Sequence, residues 1–137
     1  MYDFVIETNR LTKAYSNQLA VNNVNLHLKE RQIYGLIGRN GAGKTTLMKL
    51  LLGLLPATKG EVRVFGKSIK GNEKLLYPHI GAMIENPGFY PNLTGKENLE
   101  IFAKLRGLTD KTAVKRLWKK QNCPMKAKKF LPTILWA

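Results

Sequence analysis

An apolar run, QIYGLIG, feeds directly into GRNGAGKTT, and no other stretch of the chain restricts its fold so tightly. Gly38 to Thr45 fits G-x-x-x-x-G-K-[ST] without mismatch. The glycines at 38, 41 and 43 open backbone angles closed to residues with a side chain, so successive N–H groups can turn inward as an anion nest. A helix starting near Lys44 would aim its free N–H groups and positive dipole end at the same point. Lys44 would reach terminal phosphates, and the Thr45 hydroxyl would ligate magnesium. A glycine-rich turn with an incidental lysine satisfies the bare pattern equally well. What favours phosphate is the context, an apolar strand before the loop and an amphipathic helix after it.

FVIETNRLTKAY and VNNVNLHLKE alternate apolar with polar residues, with Val21, Val24, Leu26 and Leu28 set against Asn23, Asn25 and His27. They predict half-buried antiparallel strands. QIYGLIG predicts a buried parallel strand. Leu47, Leu50, Leu51 and Leu54 follow at helical spacing, and Gly53 and Pro56 mark the helix end. GEVRVFG and HIGAMIE predict two further strands. TGKE, Thr94 to Glu97, matches a capping box for a helix ending at Gly107. The order of elements implies an α/β or mixed architecture.

The net charge of +14 raises nucleic-acid binding as an alternative. Its distribution argues otherwise. Residues 1–110 hold 15 basic and nine acidic residues, whereas residues 111–137 hold eight basic and no acidic ones. The excess belongs to a tail. The longest apolar stretch, LMKLLLGLLPA, is interrupted by Lys49 and ends at Pro56, short of the roughly 20 residues that span a bilayer. A soluble, intracellular chain is the expectation. The single cysteine, Cys123, excludes an internal disulfide framework. His27 and His79 have no acidic or cysteine neighbour at ligand spacing, and no Ser/His/Asp set is legible.

A GTPase would need N-K-x-D, which is absent, and small kinases lack antiparallel strands ahead of the loop. The stretch from LTKAYSNQLAVNNVNL through GRNGAGKTTLMKLLLGLLPATKGEVRVFGKSI to GAMIENPGFYPNLTGKENLEIFAKLRGL resembles the ATP-binding subunit of ABC transporters. Within that family it is most similar to subunits serving bacitracin-type and lantibiotic-type antimicrobial peptide exporters. The resemblance covers residues 1–114. It implies an incomplete P-loop NTPase (ABC ATPase) fold with an N-terminal antiparallel β subdomain. It further implies that Gly38, Arg39, Asn40, Gly41, Ala42, Gly43, Lys44, Thr45 and Thr46 bind ATP with Mg²⁺. Tyr15 matches the aromatic residue that stacks on adenine. Glu85 stands where most of the family carry a glutamine that touches magnesium and the attacking water, a departure shared by the peptide-exporter branch. Glu85 is thus a candidate metal ligand beside Thr45 and a catalytic candidate. The implied partners are a transmembrane transporter subunit and a second ATP-binding subunit, with no nucleic acid. The implied location is cytoplasmic, peripheral at the inner face of the cell membrane.

The family also uses a signature loop, an apolar strand ending in Asp and then Glu, and a switch histidine, none of which occurs in residues 1–137. The expectation is therefore either a transport ATPase subunit or a nucleotide-binding remnant without turnover. The phosphate-loop strand normally lies inside a sheet, so a chain without its neighbours should expose apolar edges and be marginally stable. The tail 115–137, KRLWKKQNCPMKAKKFLPTILWA, is read as translated out of frame. When each codon is started at the third base of the one before, Asn122–Cys123 forces Leu, Met125–Lys126 forces Glu and Trp136–Ala137 forces Gly. Pro132 to Ala137 then permits Asn-Tyr-Ser-Leu-Gly, which looks like the signature loop, and a TGA stop would permit Met next. The DNA around codons 110 to 140 should carry this sequence in the shifted frame; a shifted frame without it defeats the reading.

Overall fold

A computed structural model describes residues 2–85, 88–108, 110 and 112–120, which fall into two units, Met1–Asn86 and Pro87–Ala137. In the first unit a five-stranded sheet is built from β1 (Ile6–Tyr15), β2 (Gln18–Val24), β3 (His27–Leu28), β4 (Lys59–Val64) and β5 (Lys67–Ser68). Every pairing is antiparallel. The order is β2-β1-β4-β5, and β3 lies on the edge of β1 away from β4, since Ile6 faces both Leu28 and Val64. β1 and β2 are joined by a turn at Ser16 and Asn17, with Ser16 at φ 48°. Phe65 and Gly66, at φ 51° and 75°, connect β4 to β5 with the doubly positive backbone that suits two-residue hairpins.

Val21 and Val24 of β2 are three apart, so an unbroken pleat would turn one of them outward. A bulge resolves this. Leu11 pairs with Val24 and Lys13 with Val21, so β2 carries one extra residue there, and Asn23 takes φ 50°. Val21 is buried and Val24 half-buried as a result. Where β2 gives way to β3, the ladder to β1 is interrupted, and Thr8 fills the gap. Its hydroxyl donates to the Val24 carbonyl at 2.9 Å and accepts from the Leu26 N–H at 2.9 Å. Buried at 2% exposure, Thr8 thus has both hydrogen-bonding roles satisfied. Gly60 lies inside β4 rather than ahead of it, at φ 81°, and a Cβ there would meet the carbonyl oxygens of Asn9 and Arg10 at 2.4 Å.

Helix α1 (Lys44–Leu51) packs Leu47, Leu50 and Leu51 onto this sheet, in one cluster with Leu11, Val21, Val62, Val64, Ile69 and Leu76. Leu54 does not join the stripe that its spacing predicted. The helix stops at Leu52, because Gly53 at φ 68° lets its N–H bond Leu50 O and the Leu54 N–H bond Lys49 O, a Schellman ending. Leu54 is left 62% exposed. Beyond β5 follow a short helix α2 (Glu73–Leu76) and a 3₁₀ turn at Tyr77–His79.

Two predicted strands do not form. Residues 32–38 and 80–84 carry no ladder hydrogen bonds, and Ile33 and Ile37 are almost fully exposed. A parallel strand exists only by pairing, and among the described residues no strand lies beside either segment. The apolar composition is right for a core strand; the neighbours are what is lacking.

The second unit holds α3 (Gly95–Leu105) and α4 (Ala113–Lys120). The capping box is present as expected: the Glu97 N–H donates to Thr94 Oγ1 at 3.2 Å, and the Thr94 N–H donates to the Glu97 carboxylate at 2.7 Å. Gly107, at φ 67°, ends α3 with the same Schellman bonds, to Lys104 O and from Leu108 to Ala103 O. Asn98 is fully buried, and its amide ties the preceding loop to the helix. It accepts from the Tyr90 N–H at 2.8 Å and donates to the Tyr90 and Thr94 carbonyls at 3.1 and 3.0 Å. Helix α4 crosses the 114/115 boundary, and residues 121–137 of the tail lie outside the described residues. No helix among the described residues is long and apolar enough to cross a membrane.

Hydrogen bonds from the Thr94 hydroxyl and N–H hold the Glu97 carboxyl below the usual glutamate range. A group depressed in the folded state stabilises above its unfolded pKa, about 4.3 for glutamate, and loses that contribution as pH falls through the lower folded value. Circular dichroism on acidification should show α3 helicity lost in that acid window, with the step reduced in Glu97→Gln. Thr94→Ala should cost about 1 kcal/mol at neutral pH.

Candidate functional site

The loop from Gly38 to Gly43 is anchored by its helix. Leu47 donates to the Gly43 carbonyl at 2.8 Å, which starts α1, and Gly43 serves as its N-cap at φ 85°. No side chain caps the helix, and its first turn holds no acidic residue. The amides of Lys44, Thr45 and Thr46 therefore precede the first intrahelical bond and point out of the helix end. The Ala42 N–H folds back on Arg39 O at 3.1 Å, tightening the loop.

The glycines serve three different purposes. Gly41, at φ 82°, has open space around it, so its requirement is backbone conformation alone. Gly43 combines φ 85° with close packing: a Cβ would lie 2.0 Å from the Ala20 carbonyl oxygen on β2. Gly38 departs from expectation, since its φ is not positive. A Cβ there would instead press on the Ala42 Cβ at 3.2 Å and the Lys44 stem at 3.8 Å.

Lys44 bends over the loop. Its Nζ donates to Gly38 O at 2.6 Å and to Arg39 O at 2.8 Å, closing the loop into a ring with one positive charge at its mouth. Both acceptors are neutral carbonyls, which an anionic oxygen outcompetes for an ammonium. Thr45 is exposed and Thr46 half-buried, both in the first turn of α1. Arg39 and Asn40 are exposed on the loop.

Tyr15 ends β1 opposite Gln18, 48% exposed, with the Lys13 ammonium 5.1 Å from its ring centre. Gln18 lies two residues from Ala20, about 7 Å along the strand, and Ala20 is where Gly43 abuts the sheet. The hairpin thus sets Tyr15 a few residues along the sheet from the point where the loop meets it. Glu85 takes φ 60°, and its carboxylate meets the Lys49 ammonium at 3.4 Å. Lys49 lies one turn beyond Thr45 on α1, so the residue that meets Glu85 shares a helix face with Thr45.

Three participants escaped the sequence reading: Ala20, Lys13 and Lys49. The first acts through its carbonyl, which no composition reveals. Lys13, two residues before Tyr15 on β1, and Lys49 are recognised only by what their ammonium groups meet. His27 sits 3.6 Å from Glu7 across the β1–β3 pair, and no group of three His, Cys, Asp or Glu stands together among the described residues. A hard cation here would draw on few protein oxygens, with Thr45 and Glu85 the donors of suitable chemistry.

Gly43→Ala should disorganise the loop by strain and collision together. Unfolding in urea should register a loss of about 1–3 kcal/mol, whereas Gly41→Ala, with strain alone, should lose less.

The family model described as ABC transporter matches residues 21–133. Over 114 residues the chain is 54% identical to the bacitracin transport ATP-binding protein BcrA of Enterococcus faecalis, covering 83% of this chain and 37% of that protein. It is 33% identical over 108 residues to the lantibiotic transport ATP-binding protein SrtF of Streptococcus pyogenes, covering 79% of this chain and 46% of the other. The chain thus spans less than half the length of either relative. A solved structure of an ATP-binding subunit of an ABC transporter superposes with a TM-score of 0.77 at 25% identity, over 92% of this chain and 54% of its own. The antiparallel sheet, the glycine loop on its helix and this family match, which takes in most of the sequence, agree: the chain belongs to the ABC transporter family.

Proposed function

We propose that residues 1–114 form the nucleotide-gripping front of an ATP-binding subunit that energises export of an antimicrobial peptide of the bacitracin or lantibiotic kind. The observation that carries this reading is the loop itself. Outward amides at the start of α1, two glycines in left-handed conformation and the Lys44 ammonium all converge on one small volume. That arrangement suits the β- and γ-phosphates of a nucleotide. The transport names of the relatives, bacitracin for one and lantibiotic for the other, supply the cargo class.

In this reading Lys44 leaves its two carbonyl partners for phosphate oxygens, exchanging neutral acceptors for anionic ones. Tyr15 offers its open face to adenine, a contact worth roughly 1–3 kcal/mol in comparable stacking. The Thr45 hydroxyl and the Glu85 carboxylate hold magnesium, hard oxygen donors for a hard cation. Magnesium there would neutralise charge on the phosphate oxygens. The subunit would work in the cytoplasm against a transmembrane subunit at the inner face of the membrane, paired with a second ATP-binding subunit. Nucleic acid has no part in it.

A second reading is binding without turnover. It needs only what residues 38–46 offer, the outward amides of α1 and the Lys44 ammonium. Cleavage needs a positioned water as well as a held phosphate.

Binding of a fluorescent ATP analogue with Mg²⁺ should be measurable, and Lys44→Ala should weaken it about tenfold or more, the worth of a charge-assisted bond. Steady phosphate release lost in Lys44→Ala supports the transport engine. Binding with no release supports the second reading. Absence of nucleotide binding overturns both.

A further inference from the structure

Glu85 is held in an unusual way. The segment leading to it, residues 80–84, has no strand partner among the described residues. Its own backbone sits at φ 60°, a conformation that non-glycine residues seldom adopt without a local reason. Its side chain is 66% exposed, and among the described residues its polar contact is with Lys49, 36 residues away in sequence. Lys49 is half-exposed, and its stem rises from α1 one turn beyond Thr45. Side chains four apart on a helix stand about 5–6 Å from one another at Cβ. The ammonium therefore ties the carboxylate to the face of α1 that also carries Thr45.

We propose that Lys49 is a positioning residue that acts as a counter-ion latch on Glu85. It keeps the carboxylate on the Thr45 face of α1 and must give it up when a divalent cation takes it. The inference rests on the reading of Glu85 as a metal ligand. The physical reason for competition is charge. One carboxylate oxygen cannot lie against an ammonium and a dication at once, so the cation must displace Lys49 from Glu85. A lysine serving only the carbonyl end of its helix would stabilise α1 but would leave the metal requirement independent of Glu85.

The test is a double-mutant cycle on the whole chain, reading the Mg²⁺ concentration at half-maximal fluorescence of a mant-labelled ATP. Comparison between variants cancels the metal affinity of the nucleotide itself. Lys49→Gln should lower the midpoint about threefold, the scale of an exposed ion pair. Glu85→Gln should raise it, and adding Lys49→Gln to Glu85→Gln should shift it no further. Lys49→Arg, which keeps the charge, should restore the original midpoint. The same Lys49→Gln shift with and without Glu85, or no shift at all, overturns the latch while leaving Glu85 a ligand. A Glu85→Gln chain with the original midpoint overturns the ligand reading, and the latch with it. Hydrogen exchange supplies a readout without nucleotide: residues 80–85 should exchange faster in Lys49→Gln, and unchanged exchange overturns the positioning role.

Discussion

The loop depends on three leucines. Leu47, Leu50 and Leu51 lie on one face of α1 and are buried with Leu11, Val21, Val62 and Val64 of the sheet. Burial of each is worth roughly 1.5–3 kcal/mol, and an eight-residue helix has little stability of its own in water. The sheet thus makes the helix, and the helix fixes the position of every amide at its start. Gly43 meets the same sheet directly through the Ala20 carbonyl. Loop geometry is inherited from packing on the opposite side of the helix.

Charge at the site is arranged sparingly. Lys44 and Lys49 stand toward the two ends of α1, the first held by two carbonyl oxygens and the second by a carboxylate. Neutral acceptors leave the charge of Lys44 available to an anion. A carboxylate neutralises Lys49, so it adds little to anion attraction while tying a distant segment to the helix. The same residue type has opposite consequences because its partners differ in charge.

The sheet is held together by devices that are individually small. A bulge at Asn23 brings Val21 and Val24 to the same side, and the Thr8 hydroxyl closes the break between β2 and β3. In the second unit, Asn98 does for a loop what Thr8 does for the sheet. All three positions are polar, and two of them are buried. They survive burial because each hydrogen-bonding group has found a partner.

Local chemistry was readable from the chain alone wherever neighbours in sequence are neighbours in space. The Thr94–Glu97 box, the Gly53 and Gly107 helix endings, the antiparallel character of strands within residues 4–15 and 21–30 and the glycine loop running into α1 all belong to that class. The reading failed at residues 32–38 and 80–84, where apolar composition predicted strands. It also missed the part of Leu54 and the reason for Gly38. A strand's hydrogen bonds are made with partners that may lie anywhere in the chain, so composition supplies the willingness to pair and never the pair. For the same reason only the folded arrangement could set Ala20 against Gly43 and Lys49 against Glu85: both contacts join residues more than 20 positions apart, and distance in space is settled by packing.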